Sequence, residues 1–352
     1  MTRQLTYAEA INEALSQAME MDESVICYGL GVDDPKGIFG TTLGLQEKFG
    51  KERVFDIPAS ENAMTGIAIG ASLNGIRPVM THQRLDFSLL AMDQLVNNAA
   101  KWHYMFGGHN SVPITIRLIL GRGWGQGPTH SQNLQAWFAH IPGLKVVMPT
   151  TAADAKGLLL SSIFDDNPVV FLEHRWLHNQ EGDVPEGDVR EPLGKAKLLR
   201  KGNDLSIVSM SYMTVEALHA VTYLESQGIS CDVIDLRTIS PLDWETVFNS
   251  VKKTGRLLVL DTGVASGSVA GEIIARASMD LFSALKQAPQ RLTLPDFPTP
   301  TSPALTGNFY IRSEHIIQQV GKMMHKKIST ESFALQRKFP HDVPGDWFRG
   351  PF

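Results

Sequence analysis

Short apolar runs alternate with amphipathic stretches from the N-terminus to about residue 172, and this alternation restricts the fold more than any other feature of the chain. Thr6 is placed to cap a helix reaching about Met21, with Ala8, Ile11, Leu15, Ala18 and Met19 along one side. Val25-Ile26-Cys27-Tyr28 reads as a buried strand ending at a glycine, and 54–57 as another. Ser60 opens a helix over 61–73 that Asn74-Gly75 stops. A strand at 77–83, a long helix at 86–106, a strand at 114–120, a helix at 132–140, a strand at 145–148, a helix at 154–164 and a strand at 169–172 follow. Such alternation predicts a parallel sheet covered by helices on both faces. Residues 179–194 break the rhythm with two prolines, three glycines and no periodicity, and read as a linker. A second unit resumes it, with strands at 205–210, 231–236 and 257–261 and helices at 215–227, 244–253 and 269–282. The expected fold class is α/β: two doubly wound domains, at 1–178 and 195–328, then a polar tail at 329–352 laid over a surface.

Charge and motif content narrow the function. A net charge of −5 without a basic cluster gives no footprint for nucleic acid. No window reaches the ~18 continuous apolar residues of a membrane span, and Met1-Thr2-Arg3-Gln4 lacks the apolar run of a secretory signal. Cys27 and Cys231 both sit in strand-like runs and read as reduced core residues, so the expected compartment is the cytoplasm. The run Gly121-Arg122-Gly123-Trp124-Gly125-Gln126-Gly127 follows a strand, but Gln126 stands where a dinucleotide fingerprint needs glycine. It reads as a flexible loop at the mouth of a site. There is no GxSxG elbow and no HExxH pair, and two cysteines cannot build a four-cysteine zinc site. His103 and His109 read as solvated.

Two residues stand out. Glu61 occupies the first turn of its helix, where a carboxylate is favoured by the helix dipole alone. The helix behind it is apolar nearly all round (Ala63, Met64, Ile67, Ala68, Ile69, Ala71, Leu73), which predicts burial. A carboxylate half-buried at a strand-to-helix loop is a candidate functional acid. His130 closes the glycine-rich loop; it can reach a ligand there, or simply neighbour a helix cap.

Around these positions the sequence resembles the beta subunit of the 2-oxo acid dehydrogenase E1 component (pyruvate dehydrogenase E1 beta-like), in the transketolase-like thiamine-diphosphate family. The likeness spans roughly Leu5 to Val320. It rests on Phe55-Asp56-Ile57-Pro58-Ala59-Ser60-Glu61, on Asp86-Phe87-Ser88 with 93–101, on His130-Ser131-Gln132 with 137–147, on Asn167-Pro168-Val169-Val170 and on 235–243. It implies a pyrimidine-binding transketolase-like domain followed by a transketolase C-terminal-like domain. In such enzymes a glutamate, here matched by Glu61, hydrogen-bonds N1′ of the cofactor's aminopyrimidine and so promotes loss of the thiazolium C2 proton. Phe87 matches the aromatic that packs on the pyrimidine, and His130 a histidine at the substrate mouth. Some members hold potassium at a turn matched here by Ile114, Ser162, Ile163, Asp165 and Asn167.

The Gly-Asp-Gly motif with which the family binds Mg²⁺ and the diphosphate does not occur in this chain. The resemblance therefore implies an alpha-type partner that carries it, an α2β2 assembly with a self-dimer of this chain, and a lipoyl acyltransferase as acceptor. The chain departs from the family at Thr81 and Arg84, and its glycine-rich loop adds Arg122 and Trp124. Arg84, Arg122 and His82 thereby become candidate contacts to a polar or anionic substrate. The readings are an E1-like decarboxylase with acyl transfer, a split transketolase-like carboligase, or a non-catalytic partner subunit.

Overall fold

Thr6 starts the first helix as expected. In the computed structural model, which describes residues 2–123, 125–335 and 337–350, the Thr6 hydroxyl accepts from Glu9 N (3.2 Å) and the Glu9 carboxylate accepts from Thr6 N (2.8 Å). This reciprocal cap satisfies two otherwise orphaned donors. It joins strand β1 (Thr2–Thr6) to helix α1 (Tyr7–Met21), which buries Tyr7, Ile11, Leu15 and Met19.

Along the first domain come β2 (Val25–Tyr28), α2 (Leu45–Phe49), β3 (Val54–Phe55), α3 (Glu61–Ser72) and β4 (Arg77–His82). They are followed by α4 (Ala100–Met105), β5 (Thr115–Leu120), α5 (Gln135–Ala139), β6 (Lys145–Val147), α6 (Ala152–Ile163) and β7 (Val169–His174). These strands pair in parallel, β3-β2-β4-β5-β7-β6. All six residues of β5 and of β7 are buried, as a sheet covered on both faces requires. Strand β8 (Glu181–Pro185) pairs antiparallel with β1, so part of the segment read as a linker is an ordered ribbon. Only Val184 of it is buried, too little apolar content to betray a strand in the sequence.

The second domain has β9 (Lys197–Arg200), β10 (Leu205–Ser209), α7 (Tyr212–Ser226), β11 (Cys231–Asp235), β12 (Thr238–Ser240), α8 (Trp244–Thr254), β13 (Leu257–Val264), α9 (Val269–Asp280), β14 (Gln290–Leu294) and α10 (Ser313–Met323). Its sheet runs β14-β13-β10-β11-β9, whereas β12 leaves it and adds antiparallel to β6, extending the first sheet to seven strands.

Three expectations need correction. The helix at 86–106 is instead a 3-10 turn (Leu85–Ala91), a π turn (Gln94–Ala99) and then α4. Ser88 turns its hydroxyl back to the Leu85 carbonyl (2.7 Å), a local bond that competes with regular helix pairing. The helix at 132–140 shortens to α5 because the Gln132 carbonyl accepts from Gly121 N (3.1 Å) and holds the chain extended. Helix α3 is not buried all round: Glu61, Thr65, Ala68, Ile69 and Ser72 face inward, while Ile67 is 60% exposed.

The tail folds back along both domains. Arg312 donates to the carbonyls of His341 (2.6 Å), Val343 (3.1 Å) and Pro344 (3.1 Å), and Trp347 Nε1 donates to Trp176 O (2.8 Å). Arg312 is itself held by Glu216 (2.6 Å), a buried carboxylate that also accepts from Ser313 N (2.7 Å) and the Tyr212 hydroxyl. Removing one partner of a buried pair leaves the other charge uncompensated. Glu216→Ala should therefore lower unfolding stability by roughly 3–5 kcal/mol and speed proteolysis of the tail beyond residue 329. Denaturant titration and limited digestion measure the two effects; an unshifted midpoint would show that this clasp contributes nothing.

Candidate functional site

The carboxyl ends of β4, β5 and β7 lie side by side in the first sheet, the edge where open α/β folds place ligands. Each strand feeds a loop there. After His82 at the end of β4 come Gln83, Arg84 and the 3-10 turn carrying Asp86 and Phe87. After β5 comes the glycine-rich loop. Gly121 has φ +78°, and a Cβ there would stand 2.5 Å from Nε2 of His174, so glycine is needed. The loop ends in the short turn Thr129–Ser131, which presents His130.

A cavity of about 660 Å³ opens between these loops and the segment 34–40. Phe39, Arg84, Phe87, Gln126 and His130 line it. Nδ1 of His130 lies 2.9 and 3.1 Å from the two carboxylate oxygens of Asp86, and its ring meets Phe87 edge-on at 5.5 Å. A carboxylate on Nδ1 fixes the ring orientation and leaves Nε2 for other work. The site thus unites Phe87 and His130 with an acid that sequence reasoning passed over. Asp86 adjoins Phe87, but its partner is 44 positions away and no local pattern joins them. A second cavity, of about 510 Å³, lies between 128–134 and 294–299; among its lining residues only Asp296 is charged.

Glu61 stands at the first turn of α3, which packs on the 3-10 turn bearing Phe87. It is 7% exposed, and among the described residues no protein donor reaches its carboxylate. It does not line the cavity. The Tyr28 hydroxyl donates to Met64 O (3.3 Å) and anchors the helix behind it. His82 is buried under the site with Nε2 unpartnered, and burial pushes its imidazole down to about 4, so it is neutral. Arg84 is buried on the cavity wall, donates to Gln126 and lies over the Phe39 ring at 5.2 Å. Burial pushes its guanidinium down to about 10, against the attraction of Asp86.

Arg122 corrects an expectation. Its guanidinium donates to Pro300 O (2.6 Å) and Thr301 O (3.2 Å) of the second domain and to Asp342 of the tail (2.7 Å). It is 1% exposed and joins domains instead of meeting a substrate. Trp124 lies outside the described residues.

Comparison with known proteins agrees with this architecture. Residues 3–180 match the family described as "Transketolase, pyrimidine binding domain", and 194–316 that described as "Transketolase, C-terminal domain". The chain is 44% identical over 323 residues to the acetoin:2,6-dichlorophenolindophenol oxidoreductase subunit beta of Cupriavidus necator, covering 89% of this chain and 95% of that protein. It is 39% identical over 325 residues to the pyruvate dehydrogenase E1 component subunit beta of Rickettsia conorii, covering 92% of this chain and all of that one. A solved structure titled "Split gene transketolase, inactive beta4 tetramer" superposes with a TM-score of 0.73 at 21% identity, over 92% of this chain and 99% of the other, which shows a shared fold.

The potassium turn fails on inspection. Nη1 of Arg77 donates to the carbonyls of Ile163 (3.3 Å) and Asp165 (3.1 Å), and Lys145 pairs with the Asp165 carboxylate. The Ser162 carbonyl accepts from the Thr115 hydroxyl (3.1 Å), that of Ile114 from Val169 N (3.0 Å), and Asn167 N donates to Asp165 (2.9 Å). Oxygens that would ligate a cation already serve a guanidinium and an ammonium, so these residues do not fit a potassium ion. Exchanging KCl for NaCl at constant ionic strength should leave the melting temperature unchanged. A stabilisation specific to potassium would show that the ion displaces Arg77.

Proposed function

The chain belongs to the transketolase family, with the pyrimidine-binding and C-terminal domains in tandem, and we propose that it is the beta-type subunit of a thiamine-diphosphate enzyme that decarboxylates a 2-oxo acid and passes on the acyl unit. Glu61 carries this reading: a carboxylate that no protein donor among the described residues reaches, on a residue 7% exposed, at a helix start beside the 3-10 turn bearing Phe87. A carboxylate without a protein donor is free to accept a hydrogen bond from a ligand. An aminopyrimidine ring nitrogen is a suitable donor once proton sharing begins. When bound, thiamine diphosphate supplies the carbon nucleophile for the 2-oxo group.

The chain's own residues divide the remaining work. Glu61 holds or moves the proton at the pyrimidine nitrogen. Phe87 gives the ring an apolar face to pack on. His130, oriented by Asp86, offers Nε2 to the oxygen on which charge develops, as donor or as proton shuttle. A carboligase reading of the same site is favoured by Arg84 on the cavity wall, which suits a polar or phosphorylated substrate.

In this reading an alpha-type chain brings the Gly-Asp-Gly motif, Mg²⁺ and the diphosphate, within an α2β2 assembly whose beta subunits also pair. Ile67, Leu90, Tyr104 and Trp137 are each more than half exposed and provide apolar surface for such neighbours. A lipoyl acyltransferase is the proposed acceptor. Both cysteines are buried and free, which suits the cytoplasm, and no helix of the described residues is long and apolar enough to cross a membrane.

Glu61→Gln preserves shape and removes the proton-sharing oxygen. In the assembled complex it should fold and associate normally yet slow C2 hydrogen–deuterium exchange of bound cofactor by about 10²-fold or more, the scale of general acid–base catalysis. NMR of quenched samples follows the exchange. An unaltered rate would reduce Glu61 to a helix-end charge.

A further inference from the structure

Six arginines are deeply buried: Arg84, Arg117, Arg122, Arg175, Arg237 and Arg312. Four are matched to a carboxylate, Arg117 to Glu173, Arg122 to Asp342, Arg237 to Asp154 and Arg312 to Glu216. The remaining two, Arg84 and Arg175, have none within ion-pair distance among the described residues, and they stand together. Both lie over the ring of Phe39, at 5.2 and 4.3 Å. Arg84 gives one nitrogen to Gln126 and leaves Nη1 without a partner. Arg175 gives Nη2 to the Gly350 carbonyl (3.0 Å) and leaves Nε and Nη1 unpartnered.

The nearby acids act only from a distance: Asp34 lines the same cavity as Arg84, and Asp86 attracts Arg84 without pairing with it. Asp86 is held by His130, and Glu173 by both nitrogens of the Arg117 fork. Arginine does not escape the difficulty by losing its proton at neutral pH, and two like charges away from water and without counter-ions are strongly unfavourable. Among the described residues, then, both guanidinium groups keep unpartnered donors and neither has a carboxylate at ion-pair distance. Arg84 and Phe39 form part of the wall of the 660 Å³ cavity, whose lining also carries Asp34 and Lys36. Arg175 sits behind Phe39, closed off on its other side by Phe348 (5.6 Å) and Gly350.

We propose that Arg84 and Arg175 form an anion subsite for the end of the substrate remote from the reacting carbon, so that the enzyme is selective for a donor or acceptor bearing a second carboxylate or a phosphate. This rests on the reading of the chain as a thiamine-diphosphate subunit and names the substrate class of that site. The reacting carbon lies at His130, and the remote anion meets the planar guanidinium of Arg84, whose fork matches carboxylate and phosphate oxygens. Arg175 adds its charge from behind the Phe39 ring. Gln126 holds the Arg84 fork in place.

The test uses the assembled complex with its alpha-type partner. Pyruvate is compared with 2-oxoglutarate as donor, and glyceraldehyde with glyceraldehyde 3-phosphate as acceptor; the two pairs separate a carboxylate subsite from a phosphate subsite. The charged member of at least one pair should have the higher kcat/KM. Arg84→Met should cut that preference by about tenfold or more, mainly through KM, as expected for loss of a charged hydrogen bond, and Arg175→Met, which removes a charge behind the Phe39 ring but no contact, should cut it by less. A measurement independent of turnover accompanies it: without ligand, Arg84→Met should melt above the wild type, because an uncompensated buried charge has gone. Inorganic phosphate or succinate should stabilise the wild type and not the variant. A merely structural arginine gives the opposite result, a lower melting temperature and unchanged selectivity, and overturns the proposal. So does loss of the partner subunit from the variants on size exclusion, which would place the anion that meets these arginines on that chain. Cofactor C2 exchange keeps the two readings apart: normal exchange with no preference for charge overturns the subsite alone, whereas absent exchange in the wild type overturns the parent reading.

Discussion

Under the floor of the cavity Arg117 and Glu173 face each other with no exposure to solvent. Nε and Nη2 of the arginine meet the two carboxylate oxygens at 2.6 and 3.0 Å. Arg117 lies on β5 and Glu173 on β7, and Nη1 of the arginine adds a bond to Thr81 on β4 (3.3 Å). Three neighbouring strands are thus cross-linked just before the ends that carry Arg84, the glycine-rich loop and Arg175. Desolvating two charges is costly, and a bidentate geometry is what lets the attraction offset it. The attraction holds the strand ends in one register, and the loops that shape the site inherit it.

The second domain and the tail reinforce the same edge from outside. Strand β12 completes the first sheet beyond β6, and Arg237, close by in sequence, pairs with Asp154 (2.9 Å) and Glu191 (2.8 Å). Arg122 draws 300–301 and Asp342 onto the glycine-rich loop, and Arg175 draws Gly350 onto the end of β7. These long-range arginine contacts help to explain why a stretch as polar as 329–350 has a defined course: it is tied at points by charge and carbonyl bonds, and Phe333, Trp347 and Phe348 pack against the core.

Whatever depends on local pattern was legible in the sequence. The Thr6 cap, the buried runs of β5 and β7, and the carboxylate at the start of α3 each declare themselves within one turn or one strand. Contacts between distant segments did not. The Asp86–His130 pair, the β1–β8 ribbon and the transfer of β12 to the first sheet join residues that no periodicity relates. Arg84 and Arg122 looked alike as cations near a predicted pocket. Only the fold separates them, because Asp342 reaches one and, among the described residues, no carboxylate pairs with the other. The potassium turn was misjudged for the same reason: Arg77, from a strand more than eighty positions earlier, fills it.

The electrostatics of the cavity wall follow from burial acting oppositely on two kinds of base. Burial holds the imidazoles of His82 and His174 at about 4 and about 3, so they are neutral at physiological pH. The same burial lowers the guanidinium groups of Arg84 and Arg175 only to about 10, so they remain cations. Desolvation penalises charge in both cases, but arginine starts so high that it cannot comply. The histidines escape the penalty by staying neutral, while the two arginines stay charged, Arg84 with part of the penalty offset by the attraction of Asp86. Across neutral pH this part of the wall therefore keeps a fixed positive charge, with His130 and its Asp86 partner beside it for proton movement. A subsite made of groups that do not titrate can bind an anion through a reaction cycle in which protons are continually exchanged, without the two processes interfering.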